Sequence, residues 1–186
     1  MFKLLREVFR TGDVTIRYPF GPLPASPPDI RGKPQYDPER CMACAACTIA
    51  CPSNALTMKT DTAAGTRTWQ LNFGQCIFCA RCEEVCPTRA IVLSAEYELA
   101  VMNRADLYQT AEFRLEPCRA CGTAFAPQKE IDYVISLMVQ AGLPEVDAER
   151  RREVVATCPA CKRYSDASKV GGLSSAYKEH KRRMLP

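Results

Sequence analysis

Histidine is almost missing from this chain, with one residue, His180, in 186. That residue lies in the charge run Lys178 to Arg183, which reads as a solvated or frayed helix end, so acid–base chemistry by a buried imidazole is not expected. There is no P-loop, no G-x-G-x-x-G and no Ser/His/Asp set. The 21 Asp and Glu residues are spread out without a paired-carboxylate motif. A substrate site for a small molecule is therefore not expected. No apolar run approaches the roughly 18 residues needed to span a bilayer. From Met1 to Arg10 charge interrupts the apolar residues and no small-residue cleavage site follows, so no cleaved export signal is predicted. The formal charge is only +4, and no basic groove is interleaved with aromatics, so nucleic acid is not an expected partner.

Cysteine is what the chain has in excess, at twelve residues. Eight fall in two runs, Cys41-Met-Ala-Cys44-Ala-Ala-Cys47-Thr-Ile-Ala-Cys51-Pro52 and Cys76-Ile-Phe-Cys79-Ala-Arg-Cys82-Glu-Glu-Val-Cys86-Pro87. Each is C-x2-C-x2-C-x3-C-P, the bacterial signature for 4Fe-4S clusters. Three thiolates two residues apart wrap one face of a cubane. The fourth, one turn on, points away and ligates the other cluster. The motif thus predicts one cluster on Cys41, Cys44, Cys47 and Cys86, and a second on Cys76, Cys79, Cys82 and Cys51. Such sites are assembled on reduced thiols, which points to a chain in or facing the cytosol. Metal-bound thiolates also make the formal charge misleading, because they render the sites anionic.

Around the runs the chain divides into three parts: 1–34, 35–98 and 99–186. In the first, Phe2, Leu5 and Phe9 fall at i, i+3 and i+7 beside Leu4 and Val8, interrupted by Lys3, Arg6 and Arg10. This is one amphipathic helix, about 15 Å long. Two readings of it stand equally. It is an anchor on a membrane surface or partner, the partner protein being the main contact, or it packs on the chain's own body. Seven prolines between Val14 and Pro38 then fix φ and remove backbone donors, which predicts an extended arm suited to lying along neighbouring subunits, with a disordered linker as the alternative. In the second part, Ala55–Met58 and Thr68–Leu71 read as a hairpin closed by the Asp61–Gly65 loop, and Ala90–Leu93 as the duplicated strand. Ala45, Ala46 and Ala80 leave room for the cubanes, while Ile49, Ile77, Phe78 and Val85 are expected to shield them. Arg81, Glu83 and Glu84 read as solvent-facing charges as readily as residues that tune the cluster or dock a partner. Trp69 reads as hairpin packing.

The third part holds Cys118-Arg-Ala-Cys121 and Cys158-Pro-Ala-Cys161. Four thiolates from two such hooks make a tetrahedral site for one Zn or Fe. The 36 intervening residues exceed the usual spacing of about 15–20, so the segment between must loop out. A redox dithiol and a third cubane remain weaker readings. Ile131, Val134, Ile135, Met138 and Val139 form a helical stripe there, stopped by Gly142 and Pro144.

These runs, together with Tyr18-Pro19, Arg31-Gly32 and Ala126-Pro-Gln-Lys-Glu-Ile131, resemble the two-cluster subunits of membrane-bound NiFe hydrogenases of the hydrogenase-4 and formate hydrogenlyase type. More distantly they resemble the 23-kDa-type iron–sulfur subunit of respiratory complex I. The resemblance is strongest from Arg31 to Leu93. The C-terminal CxxC pair favours the hydrogenase side. It implies an α+β fold: a bacterial 2[4Fe-4S] ferredoxin-like domain with an extended N-terminal arm and a rubredoxin- or zinc-ribbon-like knuckle region. It further implies an electron-transfer subunit, peripheral on the cytoplasmic face of the inner membrane. Electrons would pass from the iron–sulfur subunit of a formate dehydrogenase module to the hydrogenase small subunit. The hydrogenase large subunit and membrane-arm subunits would be further partners, the latter through the N-terminal helix. A freely diffusing ferredoxin carrier, and an interaction protein with structural clusters, are the competing readings.

Overall fold

The computed structural model describes residues 2–12, 18, 20–22 and 25–169. The tail Lys178–Arg183, with His180, and part of the proline arm lie outside them. The expected N-terminal helix spans Phe2–Thr11 (α1). No residue of α1 is buried, and Phe2 and Phe9 are more than four-fifths exposed. The described residues thus do not pack α1 on the chain's own body. Among them, no helix is long and apolar enough to cross a membrane.

Two antiparallel strand pairs carry the cysteine runs. The first joins β1 (Pro34–Tyr36) to β4 (Ile91–Leu93), with Tyr36 opposite Ile91 and Pro34 opposite Leu93. The second is the expected hairpin of β2 (Leu56–Asp61) and β3 (Thr66–Asn72), with Leu71 opposite Leu56 and Trp69 opposite Met58. Its turn is held by Asp61 Oδ1, which accepts from the N–H groups of Ala63 and Ala64 at 2.9 Å. Gly65 supplies the left-handed φ of +67°. A shift of 35 residues turns one strand pair into the other: Tyr36 falls on Leu71, Ile91 on Leu56, Pro34 on Trp69 and Leu93 on Met58. The repeat seen in cysteines is therefore a repeat of backbone.

The end of the arm is clasped to the segment after β4. Gly32 N donates to Ser94 O at 2.8 Å and Lys33 N to Glu96 O at 2.6 Å. At Gly32 a Cβ would stand 2.2 Å from Glu96 O, so the close approach requires glycine.

The hairpin then grows. β5 (Tyr108–Pro117) pairs antiparallel with β3, and β6 (Ala124–Pro127) with β5, giving a four-stranded sheet of order β2-β3-β5-β6. In β5 the buried Phe113 and Leu115 alternate with exposed Glu112 and Arg114, the period-2 pattern of a strand with one wet face. The sheet crosses the 98/99 division, so the C-terminal part is built onto the dicluster part. Trp69, Leu71, Leu56, Ile91 and Phe113 form the main core. The expected helical stripe lies on α4 (Gln128–Gln140), which buries Ile131 and Ile135. Gly142 (φ +95°) follows its end, and Pro144 caps α5 (Glu145–Arg150). Two further helices, α6 (Arg152–Val155) and α7 (Pro159–Lys169), complete the described chain.

Candidate iron–sulfur and metal centres

Each cysteine run forms a loop that enters a short helix, α2 (Ala46–Ala50) or α3 (Arg81–Val85). The loops turn through left-handed residues: Ala43 (φ 58°) and Ala45 (65°) in the first, Phe78 (53°) and Ala80 (67°) in the second. A third pair, Asn54 and Arg89, has φ of 53° and 51°. All three pairs are 35 positions apart. Successive N–H groups in such a backbone point into the loop and form an anion-binding nest. The first contacts are present, with Ala43 N donating to Cys41 Sγ at 3.3 Å and Phe78 N to Cys76 Sγ at 3.5 Å. The small side chains at 45 and 80 are thus explained by backbone as well as by room.

The fourth cysteine of each run leaves its own loop. Cys51 lines one cavity together with Cys76, Cys79 and Cys82. Cys86 lies close enough to Cys44 and Cys47 to raise the pKa of both thiols. Burial would push the fourth cysteines up as well, yet both are lowered overall. Around Cys51 the N–H groups of Leu56, Ser53 and Ala55 and the Ser53 hydroxyl do this. Around Cys86 their 35-shifted counterparts do the same: the Thr88 hydroxyl and the N–H groups of Ile91, Ala90 and Thr88. By contrast, burial drives Cys47 up to about 11 and Cys82 up to about 12. Thiols this costly to ionise alone suit a site where a multivalent cationic group compensates their charge.

Behind the first loop, Tyr36 and Trp69 stack with centroids 3.8 Å apart and planes at 12°. Trp69 is fully buried, so its packing role holds. The Tyr36 hydroxyl faces Cys41, and burial pushes its pKa far up. The Trp69 N–H faces Cys47, whose pKa it lowers against burial. Neither polar atom completes a hydrogen bond of normal geometry within the protein. Two orphaned donors aimed at one thiol set fit a sulfur-rich group seated between them.

Not every expected side chain lies where the spacing suggested. Phe78 and Val85 are half-buried, but Ile49 is 85 % exposed and Ile77 61 %. These two point outward, because the inner faces of the loops are taken up by cysteines and N–H groups. Glu83 turns inward: its Oε2 accepts from Leu93 N at 2.8 Å, tying α3 to β4. Arg81 and Glu84 pair with each other in the open.

The C-terminal hooks meet. The Sγ atoms of Cys118, Cys121, Cys158 and Cys161 all lie within 4.8 Å of one another. Cys121 and Cys158 are 3.9 Å apart, close to the edge of about 3.8 Å expected of a tetrahedron with metal–sulfur bonds near 2.3 Å. Cys118 sits on a knuckle closed by Gly122 (φ +74°), and Cys158 precedes α7. Against burial, N–H donation from Cys158, Cys121 and Ala120 lowers Cys118 to about 6, while burial and neighbouring sulfur push Cys161 far up.

Arg67, unremarkable in the sequence, links the two regions. Its guanidinium donates to Ala43 O in the first cysteine loop (2.8 Å), to Phe125 O in β6 (2.9 Å) and to Glu130 on α4 (3.3 Å). Lys129 Nζ reaches Pro38 O and Glu39 O from the same helix at 3.3 and 3.0 Å. No periodicity could have flagged Arg67 or Tyr36; only the fold brings them to the loop.

Residues 24–90 match the family model of the 4Fe-4S dicluster domain. The chain is 53 % identical over 163 residues to formate hydrogenlyase subunit 6 of Escherichia coli (strain K12), covering 88 % of this chain and 89 % of that protein. The chain belongs to the formate hydrogenlyase subunit 6 family. A chain from the archaeal membrane-bound sulfane sulfur reductase, a respiratory membrane complex, is 29 % identical over 57 % of this chain and 56 % of its own length, with a TM-score of 0.39. As a member of this family with a dicluster domain, the chain is an electron-transfer iron–sulfur subunit of an oxidoreductase complex.

Proposed function

We propose that this chain is the two-cluster relay of a membrane-bound NiFe hydrogenase complex of the formate hydrogenlyase type. Cys41, Cys44, Cys47 and Cys86 hold one 4Fe-4S cluster, and Cys76, Cys79, Cys82 and Cys51 the other. The observation that carries this is the placement of Cys51 in the cavity of the second run, with Cys86 returned to the first by the same 35-residue symmetry. Bound there, the clusters supply one-electron transfer at low potential. The chain's own residues hold the pair side by side, feed N–H donors to sulfur and keep the inner loop faces from water. The architecture is a bacterial ferredoxin-like unit with an N-terminal arm (1–34), a dicluster part (35–98) and a C-terminal knuckle part (99–186). Cys118, Cys121, Cys158 and Cys161 bind one structural Zn or Fe, as the convergence of their sulfurs supports.

Electrons enter from the iron–sulfur subunit of a formate dehydrogenase module and leave to the hydrogenase small subunit, which works with the large subunit. The complex stands on the cytoplasmic face of the inner membrane. There α1, with its bare apolar face, meets the membrane-arm subunits.

Metal analysis of the purified chain should give nine irons, or eight irons and one zinc; eight irons with neither extra metal would remove the C-terminal site. Cys51→Ser should abolish the EPR signal of the cluster on Cys76, Cys79 and Cys82 and spare the other, and Cys86→Ser the reverse. Each serine silencing its own run's cluster would overturn the crossed ligation. In the assembled complex, Cys44→Ser or Cys79→Ser should stop formate-driven hydrogen evolution; unchanged turnover would refute the relay.

A further inference from the structure

The two cradles are unlike at the very positions that the 35-residue repeat makes equivalent. In the first stand Tyr36 and Trp69, whose Oη and Nε1 are buried with no hydrogen-bond partner of normal geometry. Their counterparts in the second are Leu71 and Pro34, and both line the cavity of Cys51, Cys76, Cys79 and Cys82. Leucine has no donor and proline lacks even its backbone N–H. Two other contacts are matched across the repeat: Ala43 N with Phe78 N, and the Ser53 hydroxyl with that of Thr88. Among the side-chain donors that face these sulfurs, the unmatched ones are Tyr36 and Trp69, both in the first cradle.

A buried donor left unpaired is costly, and such donors are rare in folded proteins. Both face the thiols of one run, Tyr36 toward Cys41 and Trp69 toward Cys47. Their stacking, with centroids 3.8 Å apart, holds the two rings in place. The acceptor that would satisfy them is anionic sulfur placed between the rings and the loop. Hydrogen bonds to sulfur strengthen as negative charge accumulates, so they favour the reduced form of a cluster and raise its potential.

We propose that the Tyr36 hydroxyl and the Trp69 indole N–H donate to sulfur of the cluster held by Cys41, Cys44, Cys47 and Cys86 and make it the higher-potential cluster of the pair. The inference rests on the ligand assignment proposed above. It gives the relay a downhill sense, from the apolar second cradle to the donor-lined first.

The test is an EPR-monitored redox titration of the full-length, cluster-loaded chain as wild type, Tyr36→Phe and Trp69→Phe. Each variant should keep eight cluster irons and lower the midpoint of the upper couple alone. A shift of about tenfold in the reduced-to-oxidised ratio at fixed potential is 59 mV for one electron. Electron–nuclear double resonance in D2O should show exchangeable deuterons coupled to that cluster, and each variant should remove one coupling. Midpoints that stay put, or that move together, overturn the proposal. If Trp69→Phe fails to hold iron, Tyr36→Phe, which deletes one oxygen, decides alone. A wild-type chain with fewer than eight cluster irons would instead sink the two-cluster assignment itself.

Discussion

The dicluster part and the C-terminal knuckle use cysteine in opposite ways. In the knuckle, four sulfurs converge to within 4.8 Å and one thiol is already lowered to about 6. That is a small closed site, nearly shaped for a single ion. In the dicluster part the second run lines a cavity, burial pushes Cys47 up to about 11 and Cys82 up to about 12, and two donors remain unpaired behind the first run. The first arrangement needs one ion to become stable, whereas the second needs a bulky polyvalent group. Yet the two parts share a sheet, with β3 at the join and Arg67 across it. Whether the two proposed metal centres fail separately or together depends on that join.

The largest effect is expected at Cys158. A structural zinc contributes roughly 10–16 kcal/mol in isolated zinc-finger peptides, so Cys158→Ala should lose the mononuclear metal and loosen α7. Limited proteolysis should cut within 118–169 while cluster iron stays at the wild-type level. Joint loss of both metals would merge the two parts into one unit. Next comes Trp69→Ala, which empties the centre of the shared sheet. A loss of about 3–5 kcal/mol is expected for a buried tryptophan, read by denaturant unfolding with cluster absorbance and far-UV signal falling together.

Arg67→Met should follow. It leaves Ala43 O and Phe125 O without their donor, a cost of about 1–3 kcal/mol for each buried acceptor exposed to no substitute. The two parts should then unfold in separate steps. Gly32→Ala is expected to be of similar or smaller size, about 1–3 kcal/mol as for overpacking. Its Cβ would meet the Glu96 carbonyl at 2.2 Å, and a backbone oxygen cannot rotate away. Here only the arm and the β1–β4 pair should loosen, with the knuckle metal unaffected.

What could be read in advance follows from how local each cause is. Cluster spacing is set by a cofactor of fixed size, so Cys41 to Pro52 and Cys76 to Pro87 announce it within twelve residues each. The hairpin and α4 are carried by period-2 and period-3.6 patterns of adjacent residues. By contrast β5 does alternate, at Phe113 and Leu115, but pairs with a strand some 40 positions earlier, and nothing local names its partner. Tyr36 is a lone aromatic after a proline arm; only its register opposite Ile91 brings it beneath Cys41. Ile49 and Ile77 looked like shields because they are apolar beside ligands, but alternate positions on a tight loop cannot all face inward. Sequence distance from a ligand does not settle which side of the loop a residue takes.

The smallest effect distinguishes what Arg67 holds. Glu130 pairs with it at 3.3 Å, but burial raises the Glu130 pKa more than the Arg67 charge lowers it. A carboxyl whose folded pKa lies above its unfolded value favours the folded state at low pH, and that contribution is lost as pH rises through the folded pKa. At neutral pH the ionised Glu130 thus opposes folding slightly. Glu130→Gln should be neutral or stabilising by less than about 1 kcal/mol at pH 7, and the difference should vanish as pH falls below the ordinary carboxylate range. The check is the unfolding midpoint of variant and wild type from pH 3 to 8. A loss of 2 kcal/mol or more, at about the size expected for Arg67→Met, would mean that charge pairing joins the two parts. The expected near-zero result leaves that task to the carbonyls of Ala43 and Phe125, held by one guanidinium.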